Sequence, residues 1–352
     1  IEGGGSTMAI LLLIIGIILF IAAYATYGSW LAKKWGIDPK KPTPAHTMKD
    51  GVDYDPTNSK VLLGHHFSSI AGAGPITGPI LAAVFGWLPV YLWIVLGSIF
   101  VGGVHDYSAL FASVRHKSKS IGEIISVNIG KRARILFNVF AWLTLILVVA
   151  AFTDICASTF AHNPATPEVL NGARSGTISV LFIVLAILFG VTTRKFNLSS
   201  KVSVPLGIAG LALFIALGYL FPVLKLSQTA WTYILLVYIF AASVLPVWFL
   251  LQPRDYLCSF LLYTMLAGGI VGLFVSNPSV NMPTFTSFMP AEGSYLFPIL
   301  FVTVACGAIS GFHSLVSSGT TSKQIDSEKD IKPIGYGAML IEGLVAVLAL
   351  LA

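Results

Sequence analysis

Apolar residues run along this chain in long blocks, without the three-to-four spacing of a half-buried helix. Blocks of about 18 or more residues with few charges have the length of a helix that crosses a bilayer. Read this way, the sequence predicts ten spans: 8–32, 62–86, 88–112, 135–160, 177–192, 203–221, 230–251, 256–275, 295–319 and 335–352. Only Trp87 separates the second span from the third, which predicts a tight hairpin. The seventh and eighth are separated by QPRD, with Arg254 and Asp255 at its end. The fold class is therefore all-α, a polytopic membrane protein without a soluble domain of any size. The leading IEGGGST, before Met8, reads as a cloning remnant and is set aside. The last block stops without a polar flank, so the natural chain is expected to continue past Ala352.

Composition supports this picture: 56% of the 352 residues are hydrophobic and 10% are charged, against about 25% charged in soluble domains. The net charge of +6 is modest, and nothing points to nucleic acid as a partner. Lysine and arginine predict the orientation. Nineteen of the 21 fall on one side of the ten spans, leaving only Arg174 and Lys225 on the other. The basic side is read as cytoplasmic and the N-terminus as outside. Cys156, Cys258 and Cys306 all lie within spans, where an isolated cysteine is a small packing residue. No disulfide frame or metal-binding CxxC is visible.

The stretch GHHFSSIAGAGPITGP, Gly64 to Pro79, is hostile to the helix it interrupts. Pro75 and Pro79 each remove a backbone donor; Gly72, Gly74 and Gly78 permit close approach. Lipid offers no partner for freed backbone groups, so a break here must line an enclosed cavity. Two half-helices result. The carbonyls ending the first, near Ala71 and Gly72, suit a cation; the N–H groups opening the second, at Ile76 to Gly78 with the Thr77 hydroxyl, suit an anion. That is a binding-site arrangement of secondary transporters. A second break is expected in span seven, at Ser243 and Pro246. Spans two and seven are five apart and therefore run in opposite directions. This predicts a 5+5 inverted repeat with discontinuous helices: an extra leading helix and basic loop (8–60), a first repeat (61–229) and an incomplete second repeat (230–352). The alternative for span two is a plain kink or a packing face of small residues.

Span nine carries dense hydroxyls in GAISGFHSLVSSGTTSKQ. Ser317, Ser318 and Thr321 are candidates to coordinate a small hard cation together with the Ala71 carbonyl; back-bonding to their own helix is the plainer use. Lys323, just past them, is a candidate tethered cation. Ionisable groups inside spans tend to be functional. Asp106 is the best candidate for proton coupling, and the competing reading pairs it with Arg115 or caps a helix end. Asp154, toward the outer end of span four, and Glu342, in the final span, are the other acids within spans. His65, His66 and His105 are gating or structural polar groups; with His313 they would make a metal cluster only if they converged, and no ligand spacing supports one. A channel would need a repeated filter motif, and a membrane enzyme an activated nucleophile; GFHSL is not GxSxG. A nutrient sensor built on the same binding fold stays open as the alternative to transport.

GHHFSSIAGAGPITGPILAAVFGWLP, GGVHDYSALFASVRHKSKSIGEI, LPVWFLLQPRDYL, GFHSLVSSGTTSKQI and IGYGAMLIE together resemble the carbon-starvation protein A family (CstA), over essentially the whole chain after Met8. The resemblance implies an inner-membrane transporter for peptides or pyruvate in nutrient limitation. It also implies the amino acid–polyamine–organocation superfamily, whose leucine-transporter-type fold has a sodium site between its first and eighth core helices. Spans two and nine hold those ranks here. No cofactor is implied; the coupling ion is left open between a proton and sodium. Both implied substrates carry a carboxylate, which fits the anion end of the broken span.

Overall fold

The computed structural model describes residues 8–166, 168–196, 198–245 and 249–352. Among them every regular element is helical and no strand occurs. Seven helices are long and apolar enough to cross a membrane, and the bent pair Ser59–Ile70 and Gly74–Phe85 makes an eighth. Two further predicted spans are present in other forms. Span seven is the shorter apolar helix Gln228–Val244. Span nine is broken into short helical pieces, with Ala305–Ile309 and His313–Gly319 flanking an interruption at Ser310 to Phe312. The chain is thus a polytopic, all-helical membrane protein. It divides into two compact units, one built from the residues up to Arg134 with Leu262–Ala352, the other from Ile135–Leu261.

In the first unit the last span, Glu328–Leu351, is the most enclosed element: 78% of its apolar window is buried. Its Tyr336 and Val347 share one hydrophobic core with Leu13, Ile94 and Leu110. The turn between spans two and three is as tight as predicted. Gly86 adopts φ +93°, which only glycine takes without strain, and a new helix starts at Trp87. The first N–H groups of that helix lack internal acceptors; Trp87 and Leu88 donate to the carbonyls of Pro283 and Thr284.

Two wide π turns interrupt otherwise regular spans, at Ser98–Gly102 in span three and Lys332–Gly337 in span ten. Such turns rotate the side chains that follow, and often occur at functional sites. Asp106 lies four residues after the first of them. Tyr336 donates to the Ile99 carbonyl at 3.1 Å, which couples the two turns.

The basic loop after span one is folded onto the segment after span nine. Arg115 grips Glu328 with two bonds, 2.7 and 2.8 Å, and donates to the Gly36 carbonyl at 2.7 Å. Thr43 donates to the Ile325 carbonyl at 2.6 Å. Within the loop, the Asp50 carboxylate accepts backbone N–H bonds from Val52, Asp53 and Tyr54. Those donors favour its charged form and hold its pKa below the usual carboxylate range.

In the second unit, helices Asn171–Lys195 and Ser200–Leu220 pack on small residues, as membrane helices do. A Cβ added at Gly218 would lie 2.6 Å from the Ile178 side chain. The predicted QPRD link is not a loop. Helix Gln228–Val244 ends earlier than expected, and a new helix begins at Leu251, so these four residues form its first turn. Proline is compatible there, because a first-turn N–H has no helical acceptor to lose.

Candidate functional site

Span two breaks where the sequence places the break. Its halves meet at 46°, with Ala71 closing the first and Ala73 opening the second. The Gly72 N–H turns back to the Ile70 carbonyl at 2.9 Å. Ile76 and Thr77 donate to the Ala73 carbonyl at 3.1 and 2.9 Å, and the Thr77 hydroxyl bonds the same carbonyl. The first turn therefore leaves the Ala73 and Gly74 N–H groups, not those further along, without a backbone acceptor.

The two glycines beyond the break set the approach of span nine. A Cβ at Gly74 would lie 2.6 Å from Cys306 Sγ, and one at Gly78 would lie 2.6 Å from the Thr303 carbonyl oxygen. Span nine can thus lie directly against the second half-helix. Its own interruption at Ser310 to Phe312 falls beside this contact, and the Ser98 hydroxyl satisfies the Gly307 carbonyl at 3.1 Å. No proline marks this second break; Gly311 and the packing around it do.

His313 opens the helix after that interruption and is fully buried. Its Nδ1 lies 2.7 Å from Asp106 Oδ2, and its Nε2 lies 3.1 Å from Glu342 Oε2. The second contact is an ion-pair approach without hydrogen-bond alignment. All three groups have no solvent exposure. Asp106 Oδ1 is held at 2.9 Å by His105 Nδ1, and Cys306 Sγ lies 3.9 Å from Glu342 Oε1. The Ile70 carbonyl, at the end of the first half-helix, faces the same His313 ring. One imidazole thus joins carboxylates from two other spans at the place where both broken spans come together. An unpaired charge there would cost on the order of 3 kcal/mol on insertion scales. An imidazole between two carboxylates can remain paired and still gain or lose a proton.

The remaining candidates are distributed around this centre or away from it. His66 is buried, with Nδ1 2.9 Å from the Thr321 hydroxyl and a bare Nε2. His65 is buried beside it, its carbonyl accepting from Ser68 and Ser69. Ser317 is buried with no partner for its hydroxyl, and Ser318 is buried one residue on. Asp106 does not meet Arg115, which is committed to Glu328. Lys323 does not reach the centre: its ammonium pairs with Asp53 at 3.2 Å beside the Tyr54 ring. Ser243, Arg254 and Asp255 belong to the second unit. There the Ser243 hydroxyl bonds the Phe240 carbonyl, while Arg254 pairs with Asp255 at 2.7 Å and with the Tyr238 hydroxyl at 3.1 Å. Pro246, expected to break span seven, lies outside the described residues. Among those described, no three His, Cys, Asp or Glu side chains converge to hold a metal.

The family profile described as "Carbon starvation protein CstA" matches residues 8–352. The chain belongs to this family. It is 37% identical to the peptide transporter CstA of Escherichia coli (strain K12) over 364 residues, covering 99% of the chain and 50% of that relative. It is 38% identical to the pyruvate/proton symporter BtsT of the same organism, covering 99% of the chain and 49% of the relative. The peptide transporter CstA of Bacillus subtilis (strain 168) is 38% identical over 98% of the chain and 58% of its own length. The chain therefore spans about half the length of the curated relatives it matches. No solved structure matches it.

Proposed function

We propose that this chain forms the core of a proton-coupled secondary transporter that takes up small carboxylate-bearing nutrients, peptides or pyruvate, across the bacterial inner membrane during carbon starvation. One observation carries the reading: His313 bridges Asp106 and Glu342 in a fully buried site at the crossing of two broken spans. Loading a proton there changes the net charge of a site that joins spans three, nine and ten. Those spans are thereby biased towards one arrangement or another, which alternating access requires. A relative of this chain is named a pyruvate/proton symporter. The substrate carboxylate would meet the Ala73 and Gly74 N–H groups at the head of the second half-helix, with Gly72 and Thr77 alongside.

The same reading places the chain in the amino acid–polyamine–organocation superfamily with a leucine-transporter-type inverted repeat. Its support is a broken span two and a broken span nine in contact, preceded by one extra helix. The basic loop after span one faces the cytoplasm and the N-terminus faces out, supported by the lysine and arginine asymmetry. Sodium coupling through the Ala71 carbonyl, Ser317 and Ser318 is the second reading, favoured by the unpartnered Ser317 hydroxyl.

Uptake of labelled pyruvate and of labelled dialanine into proteoliposomes tests both. An inside-alkaline gradient should drive accumulation, and replacing sodium with choline should leave it unchanged. Accumulation that follows sodium and ignores the pH gradient would move the coupling role to the hydroxyl cluster.

A further inference from the structure

The buried acids and His313 are connected to the outside of the cluster at one side chain. His105 shares Asp106 with His313: Nδ1 of His105 contacts Oδ1 at 2.9 Å, and Nδ1 of His313 contacts Oδ2 at 2.7 Å. Asp106 and His313 have no exposed side-chain surface, whereas 36% of the His105 side chain is open. An imidazole with open surface inside a span is expected to face a water-filled cavity, not lipid. The acid, base and thiol groups that act on the shared carboxylate are His105 from its own helix, His313 and Cys306 from span nine, Glu342 from span ten, and His66 from span two. Of these, His105 alone combines open surface with a direct bond to Asp106.

We propose that His105 is the port through which the Asp106–His313–Glu342 cluster exchanges its proton with water. The inference rests on the proton-coupled reading above. In the loading step, a hydronium ion gives a proton to His105 Nε2, and the Nδ1 proton passes to Asp106 Oδ1. The ring ends neutral in its other tautomer, the hydronium ends as water, and the cluster gains one proton. No other bond changes. Burial alone would isolate the three inner groups, so loading without such a port would need the breaks themselves to open first. A port on a separate span lets protonation precede that movement. His105 is thus a positioning and relay residue and does not contact substrate.

The test uses the full-length protein in proteoliposomes with labelled pyruvate and, separately, labelled dialanine. His105→Gln keeps polarity and size but cannot relay a proton, and should slow uptake driven by an inside-alkaline gradient by at least about tenfold. The KM for the probe should stay within about twofold, because uniform binding is untouched. His105→Ala should be slowed equally and regain rate when free imidazole is added, since a small base can occupy the open position. Thermal unfolding in detergent identifies a variant that has simply misfolded; in that event the imidazole response of the other variant decides. His105→Gln transport at the wild-type rate would overturn the port and leave proton coupling standing. A slow His105→Ala that imidazole does not restore would also overturn it, making His105 a structural ligand of Asp106. If wild-type uptake of both probes ignores the pH gradient, the proton-coupled reading falls and the port falls with it.

Discussion

Each of the two units buries a carboxylate beside a cation, and the cations differ. In the second unit Asp255 is held by Arg254, whose guanidinium is charged at every accessible pH, and Tyr238 takes a further donor. In the first unit Asp106 is held by His313 and His105, and an imidazole, unlike a guanidinium, is a side chain that can give up its proton. The arginine pair is local: its members are adjacent in sequence and its third member lies 16 residues away. The histidine site joins residues 207 positions apart. A buried ion pair is therefore no sign of function by itself. What distinguishes the first site is a cation that can be discharged and a geometry that links separate spans.

The comparison is tested most severely by removing one acid from each site. Asp106→Asn or Glu342→Gln should reduce gradient-driven uptake in proteoliposomes by about a thousandfold, the upper part of what proton-transfer groups contribute. Asp255→Asn should behave differently. It leaves Arg254 part-buried and unneutralised, so it should lower stability by about 3 kcal/mol while the dependence on the pH gradient persists. Equal loss of gradient dependence in the two units would erase the distinction.

A smaller effect is expected at the contact between the broken spans. Gly78→Ala forces its Cβ against the Thr303 carbonyl, and such overpacking costs about 1–3 kcal/mol, read as a lower unfolding temperature in detergent. Gly74→Ala meets the Cβ of Cys306 at 2.5 Å as well as its sulfur. Its defect should be relieved by Cys306→Gly and not by Cys306→Ala, which retains that Cβ. The smallest effect belongs to Lys323. Its pair with Asp53 is at the surface, where ion pairs contribute about 0–1 kcal/mol. Lys323→Gln should leave both unfolding temperature and uptake near wild type, and a large loss of uptake would return this lysine to the coupling machinery.

Local chemistry was legible in the sequence and distant pairing was not. Pro75 and the neighbouring glycines announce the break in span two, because their effect on a helix needs no partner. The break in span nine has no proline, and its residues read as a hydroxyl cluster; only the packing against Gly74, Gly78 and Ser98 gives the interruption a place. Asp106, His313 and Glu342 were each visible as ionisable groups inside spans. Their convergence was not, since nothing in a run of apolar residues specifies which faces meet. One signal could have suggested it: a buried acid needs partners, and Glu342 and His313 lie in two different spans without a titratable neighbour beside them, while His105 can serve only one oxygen of Asp106. Arg115 was offered to Asp106 for the same reason. Glu328, which in fact holds Arg115, lies between the ninth and tenth predicted spans and is 1% exposed.

The contact between the breaks also bears on how this sequence can drift over generations. Cys306 occupies space left by Gly74, and the Ser98 hydroxyl occupies space left by Gly343. Each contact pairs a side chain on one span with a missing side chain on another. Enlarging one member is tolerated only if its partner has already shrunk, so accepted changes must arrive in order, the smaller residue first. Descendants of this chain have few such paths open at the crossing. Among the described residues, none of the apolar window of Lys131–Phe160 is buried, and no such pairing of a side chain with a missing side chain sets an order there.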